Sequence, residues 1–129
     1  MTAINEQLVA AACEAAQEAY APYSDFAVGA ALLTANGLVY TGANVENASF
    51  GLSLCAERAA VVKAVSEGQR DFAKLAIFAA SAEPPLPCGA CLQVLAEFGP
   101  DLEIIAANET ATIVTTLSEL LPRPFTNGR

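Results

Sequence analysis

The chain has 129 residues, 54% of them hydrophobic, and six Lys and Arg against fourteen Asp and Glu give it a net charge of −8. This length fits one domain, and the negative charge argues against a DNA or RNA substrate while suiting a neutral small molecule. The chain contains no histidine, which excludes Ser-His and Cys-His catalysis. Any proton carrier must therefore be a carboxylate, lysine, tyrosine or thiol.

The hydrophobic content is high for a soluble monomer and predicts apolar surface that is buried against other subunits. No apolar run approaches the roughly 20 residues that are needed to cross a bilayer. The N-terminus lacks the basic segment and hydrophobic stretch of an export signal. We therefore expect a cytoplasmic protein with no membrane partner, in which thiols stay reduced and available to a metal.

The first third of the chain predicts a helix followed by a hairpin. The helix covers residues 2–19, and Thr2 is its expected N-cap. Two strands follow at residues 26–34 and 38–44. The Asn36-Gly37 pair between them is typical of a tight hairpin turn.

The remainder predicts a polar loop and then alternating helices and strands. The loop, rich in Asn, Ser and Gly, covers residues 45–54. The later elements are helices at 55–67 and 88–98, strands at 74–80, 102–107 and 112–114, and a helical turn at 117–121. This order predicts a mixed α/β sheet of five strands with helices packed over it, in a single domain of residues 1–129.

Two cysteine motifs begin predicted helices, where the positive end of the helix dipole stabilises a thiolate. Cys88 and Cys91 lie one helical turn apart, a spacing that suits either a zinc ion or a thioredoxin-like redox pair. Cys55 would add a third thiolate and leave a fourth position open for water, as in catalytic zinc sites. Glu57 is near enough to hydrogen-bond a group there, although the helix dipole alone also favours a first-turn glutamate.

Other interpretations of the cysteines stay open on the residue pattern alone. A structural zinc needs a fourth protein ligand, and the remaining cysteine, Cys13, lies far away in the first predicted helix. Cys13 is interpreted as a small buried apolar side chain. A non-catalytic zinc or thiol-redox module is therefore the alternative from another class of protein.

Taken together, these motifs resemble the cytidine deaminase family. Cys55-Ala-Glu57 followed by Pro87-Cys-Gly-Ala-Cys91 is similar to the zinc deaminase signature. The similarity covers about residues 18–125 and extends to Tyr20-Ala-Pro-Tyr-Ser24, Phe26-Ala-Val-Gly-Ala-Ala31, Asn44-Val-Glu-Asn47 and Leu120-Leu-Pro122 with Phe125. It implies a three-layer fold with helices on both faces of a five-stranded mixed sheet, one zinc ion per chain and a homotetramer with shared active sites.

The resemblance also implies roles for the residues around the zinc. Cys55, Cys88 and Cys91 are the implied ligands. Glu57 would serve as base and then acid, moving protons from the attacking water to N3 of cytosine and to the departing ammonia. Arg58 would hydrogen-bond the thiolates and offset their charge, and Gln93 would help to fix the cysteines.

Substrate contacts are predicted in the loop that precedes Cys55. Asn44 and Glu46 lie two residues apart, so they project to the same side of an extended segment and offer a donor and an acceptor to a ribose hydroxyl. A plain polar loop is the simpler interpretation, and the resemblance favours binding of the 3′-hydroxyl. It adds further contacts: Phe26 against the pyrimidine ring, Ala56, Phe50, and Phe125 from a neighbouring subunit.

The chain departs from the family pattern at several positions. Phe50 replaces a common tyrosine, Leu92 a common arginine and Ala43 a common cysteine, and the chain ends four residues after Phe125. We expect a zinc-dependent enzyme of pyrimidine salvage that converts cytidine and deoxycytidine to uridine and deoxyuridine plus ammonia. The departures keep open a deaminase of a modified cytosine nucleoside, such as an N4- or C4-substituted compound or an antibiotic.

Overall fold

The computed structural model describes residues 1–128 and contains a five-stranded sheet. The strands are β1 (Val28–Thr34), β2 (Val39–Ala43), β3 (Phe72–Ala79), β4 (Glu103–Ala107) and β5 (Thr112–Thr116). Their order across the sheet is β2-β1-β3-β4-β5. β3 and β4 are parallel, whereas the other neighbours are antiparallel. The predicted mixed sheet is confirmed.

The helices begin and end close to the predicted positions. They are α1 (Ala3–Ala16), α2 (Ala56–Ser66), α3 (Gly89–Phe98) and the single turn α4 (Leu117–Leu120). The Thr2 hydroxyl caps α1 by accepting a hydrogen bond from the Asn5 N–H at 3.1 Å. α1 is shorter than predicted because residues 17–19 form tighter three-residue hydrogen bonds that close the helix. Within residues 1–128, no helix is long and apolar enough to span a membrane.

Strand alternation places helices on both faces of the sheet, as predicted. On one face, Leu8 and Ala12 of α1 pack against Ala31, Ala76 and Ile105 of β1, β3 and β4. Because side chains alternate along a strand, the residues next to these point to the opposite face. That face carries the larger core, which α2, α3 and α4 cover with Ala60, Val61, Ala64, Leu92, Leu95 and Leu117 over Leu32, Leu75, Ile77 and Ile104.

The segment before α2 is more ordered than a polar loop. Val45 pairs with Tyr20 in a parallel bridge and with Leu54 in an antiparallel bridge. A short 3₁₀ turn at Phe50–Leu52 lies between the two ends of this segment. Leu54 directly precedes Cys55, so the bridges fix the first cysteine relative to residues 44–46. The sequence did not predict this pairing, because isolated bridges leave no periodic pattern.

A second anchor lies beyond the carboxyl ends of the parallel strands β3 and β4, an edge where α/β sheets commonly bind ligands. The buried Asn108 donates from Nδ2 to the carbonyl oxygens of Ser81 and Ala82, at 2.8 and 3.3 Å. Its Oδ1 accepts from the backbone N–H groups of Thr110 and Ala111. Asn108 thereby ties the β4–β5 turn to the loop that leads into α3 and its cysteines.

The packing of α1 on the sheet depends on one glycine. A Cβ added to Gly29 of β1 would lie 1.9 Å from the Ala12 carbonyl oxygen and 2.5 Å from the Ala16 nitrogen. Both neighbours are backbone atoms of α1, so no side chain can rotate away to make room. α1 therefore crosses β1 at a distance that only glycine permits.

We predict that Gly29→Ala lowers the free energy of unfolding by about 2 kcal/mol or more, because overpacking forces α1 off the sheet. Urea unfolding followed by circular dichroism measures this. Gly51→Ala is the matched control, since a Cβ there meets nothing within 4 Å. Equal stability of the two variants would show that α1 shifts without cost.

Candidate metal centre and active site

Three cysteine sulfurs meet where α2 and α3 begin. The Sγ atoms of Cys55, Cys88 and Cys91 all lie within 4.8 Å of one another, and those of Cys88 and Cys91 are 3.5 Å apart. Zinc–sulfur bonds of about 2.3 Å in a tetrahedron separate the sulfurs by about 3.8 Å. The three thiols therefore fit a zinc ion. Cys91 is buried and Cys88 is exposed, so the cluster opens to solvent at Cys88.

Both helices begin directly at this cluster. Cys55 is the N-cap of α2 and Cys88 the N-cap of α3, each with extended backbone. The peptide dipoles of a helix leave partial positive charge at its start, which favours a thiolate there. At α3, partial loss of water around the Cys88 sulfur opposes its ionisation, but hydrogen bonds from the N–H groups of Cys91 and Ala90 and with the Cys91 thiol favour the thiolate. The net effect lowers the pKa of Cys88.

The buried members of the cluster resist ionisation. Burial, followed by the charge of Glu57, raises the pKa of Cys91 well above its usual range. Burial also raises the pKa of Glu57, by more than the Cys91 thiol and the Arg58 charge lower it. Burial therefore favours the neutral forms of Cys91 and Glu57, and a metal ion in the cluster would supply positive charge that stabilises a thiolate.

Arg58 places a positive charge against the cluster. Its Nη2 donates to the Cys55 sulfur at 3.4 Å, and this hydrogen bond is the largest cause of a raised pKa for Arg58, with Cys91 also contributing. The Arg58 Nε atom is buried and has no hydrogen-bond partner within residues 1–128. The structure places the guanidinium against the Cys55 sulfur, and the charge-offsetting role of Arg58 stays a prediction.

Glu57 is a carboxyl group almost removed from solvent. It is 6% exposed and lies in the first turn of α2, between the N-cap Cys55 and Arg58, which donates to the Cys55 sulfur. A carboxyl whose pKa is raised can hold and release a proton nearer to neutral pH than an exposed one. The structure thus places a buried carboxyl group beside the thiols.

Asn44 is less free than the sequence suggested. Its Oδ1 accepts from the Val28 N–H at 2.9 Å, and its Nδ2 donates to the Phe26 carbonyl at 2.8 Å. The side chain thus extends the β1–β2 pairing beyond Ala43. One of the two Nδ2 hydrogens remains for a ligand.

Glu46 is likewise engaged by the protein. Its carboxylate accepts from the N–H groups of Tyr23 and Ser24, at 3.0 and 3.1 Å, and from the Ser24 hydroxyl. These bonds, led by that of the Ser24 hydroxyl, lower the pKa of Glu46, so it is ionised at neutral pH. Since a carboxylate has about four acceptor positions, it can accept a further hydrogen bond.

A cleft adjoins Glu46. It has a volume of about 270 Å³ and is lined by Tyr23, Ser24, Glu46, Phe50 and Ser53. The Tyr23 and Phe50 rings meet edge to face, with centroids 5.8 Å apart. The sequence predicted Glu46 and Phe50 here but missed the other three. Tyr23 and Ser24 lie in the motif that begins at Tyr20, which was the available signal.

Phe26 and Ala56 differ in what they can offer a substrate. Phe26 is 43% exposed beside the residues that Glu46 binds, so its ring is available to a ligand. The Ala56 side chain is fully buried in the core on the face of the sheet that α2, α3 and α4 cover. Only the Ala56 backbone can contact a substrate.

Gln93 does not bond to the cysteines, contrary to the expectation from sequence. Its side-chain Nε2 donates to the Phe125 carbonyl at 2.9 Å, and its Oε1 accepts from the Phe125 N–H at 3.0 Å. The paired bonds hold the C-terminal segment on α3 while Phe125 stays 76% exposed. Spacing could not predict a contact between residues 32 positions apart.

The fourth cysteine takes no part in this cluster. Cys13 lies on α1, on the opposite face of the sheet from α2 and α3, and its thiol is free. It is half-buried, so it is more exposed than the buried side chain that the sequence predicted.

Comparison with known proteins supports a single family. A family model described as the cytidine and deoxycytidylate deaminase zinc-binding region matches residues 2–107. The chain is 50% identical over 123 residues to a cytidine deaminase of Halalkalibacterium halodurans, covering 94% of this chain and 93% of that protein. A blasticidin-S deaminase of Bacillus cereus is only 28% identical over 109 residues, 78% of each protein.

The fold agrees with this assignment. The crystal structure of a cytidine deaminase from Burkholderia pseudomallei has a TM-score of 0.91 and 47% identity, covering 97% of this chain and all of that one. The matching model describes a zinc-binding region, and the thiol cluster has the geometry for such an ion. The chain therefore belongs to the cytidine and deoxycytidylate deaminase family, with zinc as its cofactor.

Proposed function

We propose that the chain catalyses the hydrolytic deamination of cytidine and deoxycytidine, giving uridine and deoxyuridine plus ammonia. The observation that carries this proposal is a buried carboxylate, Glu57, beside three clustered thiols. A closed structural zinc site would need a fourth protein ligand and would have no use for a buried acid. The relatives described above support the same reaction.

In this proposal Cys55, Cys88 and Cys91 would hold the zinc ion as three thiolate ligands. The ion would supply Lewis acidity, which makes water a nucleophile near neutral pH. Three thiolates outweigh the charge of the ion by one unit, which opposes that effect. Arg58, whose Nη2 is 3.4 Å from the Cys55 sulfur, offsets the excess.

Glu57 carries the protons in both halves of the reaction. It takes a proton from the attacking water and delivers it to N3 of the cytosine ring, while oxygen bonds to C4. It then takes the second proton from that oxygen and gives it to the amino nitrogen. The C4–N bond breaks, ammonia leaves and the C4 carbonyl of uridine forms. One carboxyl group suffices because Glu57 donates the first proton before it accepts the second.

The remaining polar groups suit a nucleoside. The free Nδ2 hydrogen of Asn44 and the unused acceptor position of Glu46 offer one donor and one acceptor to the ribose 3′-hydroxyl. Phe26 presents an exposed ring for the pyrimidine, and the Ala56 backbone and Phe50 complete the contacts. An ionised Glu46 and the net charge of −8 disfavour a nucleotide.

The assembly we propose is a homotetramer with shared active sites, acting in pyrimidine salvage in the cytoplasm. Phe50 and Phe125 are 74% and 76% exposed in the single chain, so the chain itself does not bury these two predicted substrate contacts. Leu52, Val62 and Leu86 are further large apolar side chains on the surface. A neighbouring subunit would bury these groups and bring its own Phe125 to the site.

Phe50 is the departure that bears most on the alternative, a deaminase of a modified cytosine nucleoside, which the relatives do not favour. It lies in the cleft beside Glu46 without the hydroxyl that a tyrosine would place there. The other departures support this candidate less. Leu92 is 6% exposed and packs in the core, and Ala43 is half-buried in β2.

Ammonia release from a panel of substrates tests the proposal. The panel contains cytidine, deoxycytidine, cytosine, CMP and an N4-substituted cytidine, and zinc is measured in the same sample. We expect turnover of the two plain nucleosides and at least about 100-fold lower kcat/KM for cytosine and CMP, which lack the ribose or add a charge. Activity confined to the substituted compound would establish the alternative instead.

We predict that Glu57→Gln lowers kcat for cytidine at least about 100-fold, because glutamine cannot carry a proton. Zinc content, measured by mass spectrometry, should stay at the wild-type value since the thiols are unchanged. Glu14→Gln, at an exposed position on α1, is the control and should keep its activity. Residual turnover near wild type would remove Glu57 from the proton path.

A mixing experiment tests whether Phe125 serves a neighbouring subunit. Phe125→Ala and Glu57→Gln should each be poorly active alone. Co-expressed, they should form mixed assemblies in which an intact Glu57 site receives Phe125 from the other variant, so activity returns. If Phe125 acts on its own chain's site, every site keeps one defect and the mixture stays inactive. Size-exclusion chromatography with light scattering gives the subunit number.

A further inference from the structure

The turn between α1 and β1 is organised by one hydroxyl group. The Ser24 Oγ donates to the Glu46 carboxylate and accepts from the Phe26 N–H at 3.1 Å. A single side chain thereby connects the proposed ribose acceptor to the residue proposed to face the base. Ser24 also lines the cleft beside Glu46 and Phe50.

The backbone of Phe26 is fixed at both ends while its ring stays free. Ser24 Oγ holds the Phe26 N–H, and Asn44 Nδ2 holds the Phe26 carbonyl at 2.8 Å. The side chain is nevertheless 43% exposed. A fixed backbone and an exposed ring suit Phe26 for stacking on a base, since a side chain that is ordered before binding loses less entropy on binding.

The residue between Ser24 and Phe26 has an unusual backbone. Asp25 has φ = 56° and is the non-glycine residue with positive φ within residues 1–128. Aspartate tolerates this left-handed conformation better than most residues, although it still carries a cost. With Asp25 in this conformation, the Phe26 N–H points back and donates to the Ser24 Oγ. We infer that this hydrogen bond stabilises the turn.

We propose that Ser24 is a positioning residue for the nucleoside, which holds Phe26 and Glu46 in fixed relation so that base and ribose are bound together. This inference rests on the proposed function of the same site. Ser24 need not touch the substrate; it acts through the two side chains that do. Its hydroxyl serves them together because it donates to one and accepts from the other.

The solvent exposure of this turn distinguishes a positioning role of Ser24 from a role in the stability of the fold. Ser24, Asp25 and Phe26 are all exposed, so water can replace the hydroxyl as a hydrogen-bond partner when it is removed. Folding should therefore change little, whereas Phe26 and Glu46 become free to move before binding. The lowered pKa of Glu46, due first to the Ser24 hydroxyl, is consistent with close coupling of the two.

The test compares Ser24→Ala with Ser24→Thr, which keeps the hydroxyl, using zinc-loaded protein. Ser24→Ala should raise KM for cytidine about 5- to 10-fold and weaken uridine binding in calorimetry by a similar factor, with kcat changed less than about twofold. Ser24→Thr should restore KM to within about threefold of wild type. Ser118→Ala removes a hydroxyl of α4 that contacts Thr116, and it should match wild type.

A double-mutant cycle identifies the path of the effect. If Ser24 acts through Phe26, then Ser24→Ala should raise KM less in a Phe26→Ala background than in the wild type. An unchanged KM in Ser24→Ala, or effects of the two substitutions that multiply, would overturn the inference and leave the proposed function intact. Wild-type protein that neither binds uridine nor deaminates cytidine would overturn both. Unchanged zinc content and melting temperature in Ser24→Ala complete the expected result.

Discussion

The balance of charge around three clustered cysteine sulfurs is the constraint on which the rest of this structure depends. Ionised thiols and a buried carboxyl group repel one another, and burial raises the pKa of both Cys91 and Glu57. Several groups of the fold place positive charge near the sulfurs. The starts of α2 and α3 point at the cluster, and Arg58 donates to Cys55. Zinc, the cofactor of the family, supplies the remainder.

The sulfurs lie close together because the loop before α2 and the loop before α3 are both fixed by hydrogen bonds. The bridges from Val45 to Tyr20 and Leu54 fix the segment that ends at Cys55. Asn108 fixes the loop that leads to Cys88, through bonds to Ser81 and Ala82. The helices then carry the cysteines in defined positions because their first residues follow directly from anchored backbone.

Much of this could be predicted from the sequence, for reasons that differ between the sheet and the site. Alternating and helical patterns predict β1 to β5 and the helices because burial imposes those periods. The zinc cluster was predictable because the motifs around Cys55, Cys88 and Cys91 resemble a known zinc signature, whereas their spacing alone left a redox pair open. Hydrogen bonds between loops have no period. The clamp of Gln93 on Phe125 and the bonds that occupy Asn44 therefore required coordinates.

Chemistry and substrate choice reside in different parts of this fold. Glu57, the proposed proton carrier, and the thiols lie at or near the starts of α2 and α3, which pack on the core beside the fully buried Ala56. The residues proposed to bind the nucleoside lie in exposed loops, with Phe50 in a cleft whose wall includes Tyr23. A change at Phe50 can alter which cytosine compound fits without moving a sulfur atom. A substitution in the turn held by Glu46 and Ser24 can therefore change the substrate while the thiol cluster stays the same, because this turn lies outside the buried core.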